Sequence, residues 1–328
     1  MPAMTRLETP RLSFRPLLFP VLVLYLSSPG LGAEPTGDGV IRAAAGKSEI
    51  VITTTARLAG AIHSLTWDGR EFIDSADHGR QLQSASNLDA DQAFFPEVFN
   101  PTEAGSRADG AGRHSSSRLL AYSTQGSLLQ TTSEMAFWLK PGERSAGNLA
   151  VNDAILSRHR LTKRVQIGYK TWPQVLDYQV TFTVPATERH NYAQFEALTG
   201  YMPPEFSRFE ALTPEGRLKE IDDGPGEQQL PVVFSTQQGR HAMGVYSPNQ
   251  PSAGFEQAGY GRFRFKREKV VKWNCVFRVR DAGGIKPGKF TYQMFVAVGT
   301  RDDVQAALTG VMAEFRAGKA GAASGAPN

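Results

Sequence analysis

The 328-residue chain has one cysteine, Cys275. That excludes an internal disulfide and any metal site built on paired cysteines. Cys275 stands in VVKWNCVFRVR, where its expected role is that of a small buried hydrophobe. Words of the H-x-H and H-E-x-x-H kind are also missing, and His63, His159, His190 and His241 are scattered. We therefore expect no metal site and no cofactor. G-x-S-x-G, P-loop and dinucleotide fingerprints are absent, which removes serine-hydrolase and nucleotide readings.

A strong charge of either sign is lacking as well. The net charge is +4, and Arg6, Arg11 and Arg15 with Glu8 account for +2 of it, too little to argue for nucleic acid. The densest basic stretch, GYGRFRFKREKVVKW, alternates aromatic with basic residues, as a half-buried strand does. Asp222 and Asp223 lack the spacing of a calcium loop and are read as a turn.

The longest apolar run, Leu17–Leu26, follows the three arginines and precedes a small, turn-rich segment ending at Ala33. It has the length of an export signal and is too short to span a bilayer comfortably. The expected division is a signal peptide over 1–33, one domain over 34–318 and a disordered tail over 319–328. The expected location is periplasmic or secreted, with no membrane span once the signal is cleaved.

Beyond residue 33, about a dozen short segments rich in β-branched and aromatic residues alternate with Gly, Pro, Asn, Asp and Ser clusters. With no helical pattern between them they predict an all-β, antiparallel sandwich of two large sheets. One helix is expected after Thr300, with Val304, Leu308, Val311 and Phe315 on its buried face.

Two Gly-punctuated polar segments carry the functional signal: DHGRQLQ (Asp77–Gln83) and NPTEAG (Asn100–Gly105), preceded by the hairpin-like AGAIHSLTWDGREFID. Strand alternation puts Gln81 and Gln83 on one face, and Arg80 and Leu82 on the other. These three stretches resemble the galactose mutarotase-like superfamily of carbohydrate-active β-supersandwich proteins. The resemblance implies a sugar-binding sheet face lined by His, Arg, Asn, Gln and acids, in a family with epimerases, polysaccharide lyases and glycoside hydrolase domains. The NHxYFNLxG word of the mutarotases proper is absent, so plain aldose mutarotation is not implied.

Glu103, set among Phe94, Phe95 and Phe99, suits a general acid. In YAQFEALTGYM, alternation places Gln194, Glu196 and Leu198 on one side and Phe195, Ala197 and Thr199 on the other, with Tyr201 at the strand end. Glu103 and Glu196 are one candidate pair for hydrolysis. His78 or Tyr201 as base, with Arg80 or Asn100 stabilising the developing charge, is the alternative for elimination beside a uronate. Gln81, Gln83, His114 and Trp172 complete the expected contacts to an oligo- or polysaccharide, Trp172 being the tryptophan expected at the surface. Non-catalytic glycan binding and epimerisation stay open.

Overall fold

The computed structural model describes residues 35–248 and 255–324, with side chains to 318. The segment expected to be an export signal and the last four residues of the expected tail lie outside the described residues. The described residues form an antiparallel all-β sandwich with one α-helix, Arg301–Ser324.

One layer runs through the strands Gly39–Ala45, Ser48–Thr54, Ile62–Trp67, Leu82–Leu88, Tyr192–Met202, Val270–Arg280 and Gly259–Phe265. The other runs through Arg118–Gln125, Leu128–Phe137, Leu156–Tyr169, Trp172–Val184, Gly288–Gly299, Ala242–Tyr246 and Val232–Ser235. The two-residue strand Pro101–Thr102 pairs with Ala85 of the first layer and with Phe137 and Ala136 of the second. NPTEAG is therefore the seam between the sheets.

Aromatic rings fill the space between the layers. Phe195 packs 4.9 Å from Phe182 and 5.0 Å from Phe290, and Phe277 lies 4.3 Å from Tyr292. The helix packs on the outer face of the second layer, where Val304, Leu308 and Val311 cover Val175, Val233 and Phe295. Among the described residues, no helix is long and apolar enough to cross a membrane.

Three expectations about local structure change. The helix continues past residue 318 to Ser324, because AGKAGAAS is rich in alanine, the strongest helix former. Trp172 is no surface platform: it packs against the helix, its ring within 2.1 Å of where a Cβ on Gly310 would stand. The alternation of YAQFEALTGYM is broken by a bulge after Glu196, where the register against both neighbouring strands shifts. Leu198 accordingly turns into the core, and Thr199 faces the same way as Glu196.

Phe195 is fully buried on a strand paired on both sides, to Ser86 and to Phe277. Phe195→Ala is expected to cost about 3–5 kcal/mol of folding free energy, readable as a lower urea midpoint. A change under about 1 kcal/mol would contradict the packing described.

Candidate functional site

A cavity of about 300 Å³ opens on the outer face of the first layer. Its walls come from the two segments singled out in the sequence and from the strands beside them. DHGRQLQ contributes Gly79 and Gln83, the seam contributes Asn100 and Thr102, and the bulged strand contributes Glu196, Thr199 and Tyr201. Lys272 and Asn274 come from the neighbouring strand and Phe263 from the one beyond; Trp138 projects from just after Leu128–Phe137.

Glu196 is the centre of its polar network. Lys272 Nζ donates to Glu196 Oε2 at 3.1 Å, Thr199 Oγ1 at 3.1 Å and Asn274 Nδ2 at 3.5 Å. All three reach the same oxygen, and among the described residues no donor is seen on Oε1, which leaves it able to accept a further hydrogen bond. Burial penalises the charge on Glu196, but the Lys272 ammonium and these donors prevail and hold the carboxyl below its ordinary value. Burial likewise opposes the charge on Lys272, and Glu196 overrides it to push the ammonium up. Burial raises the Tyr201 phenol, and Lys272 offsets this only in part. At neutral pH the trio is thus a carboxylate beside an ammonium and an intact phenol. Lys272 also lies over the rings of Tyr201 and Phe263, 5.3 Å from each centroid.

Two further acids reach the wall. Glu227 is held in a bidentate pair by Arg278, at 2.6 and 2.7 Å. Glu97 receives one side-chain hydrogen bond, from Ser145 Oγ at 2.6 Å. The amides are oriented from behind: Gln83 Nε2 donates to Gly79 O at 3.0 Å and Asn100 Nδ2 to Ser86 O at 2.6 Å. Trp138 explains the glycine of DHGRQLQ, since a Cβ on Gly79 would stand 2.7 Å from the indole edge.

The other sequence candidates lie elsewhere. Glu103 is 1% exposed and ion-paired with Lys163, which is wholly buried, while Ser84 N donates to its second oxygen at 3.0 Å. It therefore braces the interior and cannot reach a ligand in this pocket. His78 is buried, with Nδ1 2.7 Å from Gly110 O and Nε2 2.9 Å from Arg57 O, so both ring nitrogens tie loops together. Gln81 precedes the strand, and its amide turns back to Asp77 O. Arg80 pairs with Asp77 at 3.1 Å. His114 is exposed in the loop before Arg118. Asp222 and Asp223 pair with Arg262 and Arg264 of the strand Gly259–Phe265.

The expected site residues did not include Lys272, Asn274, Trp138, Glu97 or Asn87. Lys272 and Asn274 sit at alternate positions of VVKWNCV, a polar stripe in an apolar strand, and that was the available signal. Trp138 carried none. Apart from this lining, His159, Glu188 and His190 bring imidazoles and a carboxylate together beside Phe99.

No family model matches the chain and no curated protein is similar in sequence. Several solved structures are similar to the chain at low identity. The Slr1438 protein of Synechocystis sp. PCC 6803 is 12% identical over 80% of this chain and 96% of its own, with a TM-score of 0.42. Heparan sulfate lyase HepC from Pedobacter heparinus is 10% identical over 81% of this chain and 36% of its own, with a TM-score of 0.41. The GH36 α-galactosidase AgaB from Geobacillus stearothermophilus is 8% identical over 83% and 42%, with a TM-score of 0.44. This chain spans well under half the length of the lyase and the galactosidase. Likeness at this level carries no functional argument, which must come from the pocket itself.

Glu103→Ala is expected to destabilise the fold by about 3–5 kcal/mol, because Lys163 is left buried and unpaired. Denaturant unfolding of the variant measures this, and an unchanged midpoint would refute the bracing role. Gly79→Ala forces Trp138 aside and should weaken ligand binding about tenfold or more while leaving the unfolding midpoint within about 1 kcal/mol; unaltered affinity would remove the indole from the site.

Proposed function

We propose that the chain binds a neutral saccharide in this pocket and hydrolyses a glycosidic bond there, with Glu196 as base or nucleophile. The carrying observation is the free Oε1 of a carboxylate kept ionised at the pocket floor by Lys272. Side-chain amides of Gln83, Asn87, Asn100 and Asn274 suit sugar hydroxyls, and the rings of Trp138 and Phe263 offer flat faces for a pyranose. Hydrolysis needs a second carboxyl group across the bond. Glu97 takes that place, since Glu227 is consumed by Arg278 and Glu103 lies in the core.

Elimination next to a uronate fits less well. Of the three carboxylates that line the pocket, Glu196 and Glu227 are offset by Lys272 and Arg278 and Glu97 is not, so the field is on balance negative and does not favour an acidic glycan. Of the two bases considered for it, His78 is outside and the Tyr201 phenol is raised by burial and holds its proton. Saccharide binding without turnover is the second reading, favoured by the ion pairs that engage Glu196 and Glu227. The arginine-led apolar run Leu17–Leu26 supports export to a periplasmic or extracellular location.

The test is incubation with neutral and uronic oligosaccharides, following heat of binding, new reducing ends and absorbance from unsaturated products. Neutral sugars are expected to bind and to yield reducing ends, and Glu196→Gln should lower turnover by about 10²-fold or more with binding retained. Unsaturated product from a uronic substrate would overturn the proposal, and binding without reducing ends would establish the second reading.

Binding should also depend on pH in a definite direction. The folded-state pKa of Glu196 is depressed, so the carboxylate's contribution is present above the ordinary value of 4.5 and is lost as pH falls through the lower folded value. Calorimetric affinity should stay level from neutrality down to 4.5 and decline only below it. A decline already complete at 4.5 would contradict the pairing with Lys272.

A further inference from the structure

His159, Glu188 and His190 lie 29 and 2 residues apart in sequence, yet their ligand atoms all fall within 4.8 Å of one another. Glu188 Oε2 stands 2.6 Å from His159 Nε2 and 3.0 Å from His190 Nε2. His159 belongs to the strand Leu156–Tyr169, close to a break in its register against Leu128–Phe137. Glu188 and His190 come from the connection between Trp172–Val184 and Tyr192–Met202. We propose that His159 Nε2, His190 Nε2 and the Glu188 carboxylate bind one zinc ion per chain.

The donor set favours a transition-series ion over a hard one. Two imidazoles and one carboxylate suit zinc, whereas calcium and magnesium prefer shells made of oxygen. Around zinc, such ligands sit at about 2.0–2.2 Å and hence roughly 3.4 Å from each other in a tetrahedron. Glu188 needs to withdraw by less than about 1 Å from the rings to admit the ion. It is partly exposed on the wall of a cavity of about 540 Å³ also lined by Asn152 and Asp153. That cavity supplies an entry path and room for a water as the fourth ligand.

The surroundings hold the rings in place. Both imidazoles are buried and pack on Phe99, 5.9 and 5.5 Å from its centroid. Asp89 Oδ1 stands 3.4 Å from His190 Nδ1, and Asn191 N donates to both oxygens of Asp89 at 3.0 and 3.1 Å. A carboxylate behind a ligating histidine fixes its tautomer and orientation. With the ring proton on Nε2, Nδ1 accepts from Ala90 N at 3.2 Å. With zinc on Nε2 the proton sits on Nδ1, Asp89 becomes its acceptor, and the Ala90 amide gives up that bond. Bound zinc would staple the Glu188 connection to the Leu156–Tyr169 strand and to the end of Leu82–Leu88.

The experiment uses the tag-free full chain, stripped with a chelator and titrated with zinc chloride by calorimetry. One zinc per chain is expected, with a higher melting temperature on loading. Glu188→Gln keeps the side chain's shape and should weaken zinc at least tenfold, and Asp89→Asn should weaken it about tenfold through His190. Failure to take up zinc, or affinity unchanged in Glu188→Gln, would overturn the site. Should Glu188→Gln fail to fold, cobalt in the wild-type chain decides the matter. Intense visible bands of a four-coordinate ion support the proposal, and the weak spectrum of a six-coordinate ion defeats it.

Discussion

A glutamate and a lysine shut between two sheets must find each other, and the architecture turns on that meeting. Glu103 and Lys163 are both below 2% exposure, where either charge alone would cost several kcal/mol. Lys163 is fixed in the middle of Leu156–Tyr169 in the second layer. Glu103 follows the two-residue strand that joins the layers, and it also takes the Ser84 amide of the first layer. The pair therefore fixes the separation and register of the sheets at the seam. Asn100 and Thr102, on the same short segment, are thereby set at the pocket wall.

The bulge after Glu196 is the second local device. A regular strand would have sent Thr199 to the core with Phe195. The extra residue instead buries Leu198 and gathers Glu196, Thr199 and Tyr201 toward Lys272. Bulges re-aim side chains beside functional sites at the cost of local pairing. Here the gain is a carboxylate with three donors on one oxygen and, among the described residues, none seen on the other.

Much of the fold was legible. The alternating segments and their turn residues predicted antiparallel layers, and the spacing of Val304, Leu308 and Val311 predicted which helix face is buried. Four of the expected site residues, Gln83, Asn100, Glu196 and Tyr201, line one cavity. Glu103 was misread because its partner is 60 residues away, and nothing local distinguishes a buried brace from a pocket acid. Alternation failed at Ala197 because a bulge is written in pairing across strands, not in the periodicity of one. Trp172 was misplaced for a similar reason: its cover, Gly310, arrives from the far end of the chain. The His159–Glu188–His190 cluster matches no sequence motif because its spacing follows the length of a hairpin, not the turn of a helix.

The helix seals only the layer remote from the pocket. A tether joined beyond Ser324 would leave from the back of the sandwich.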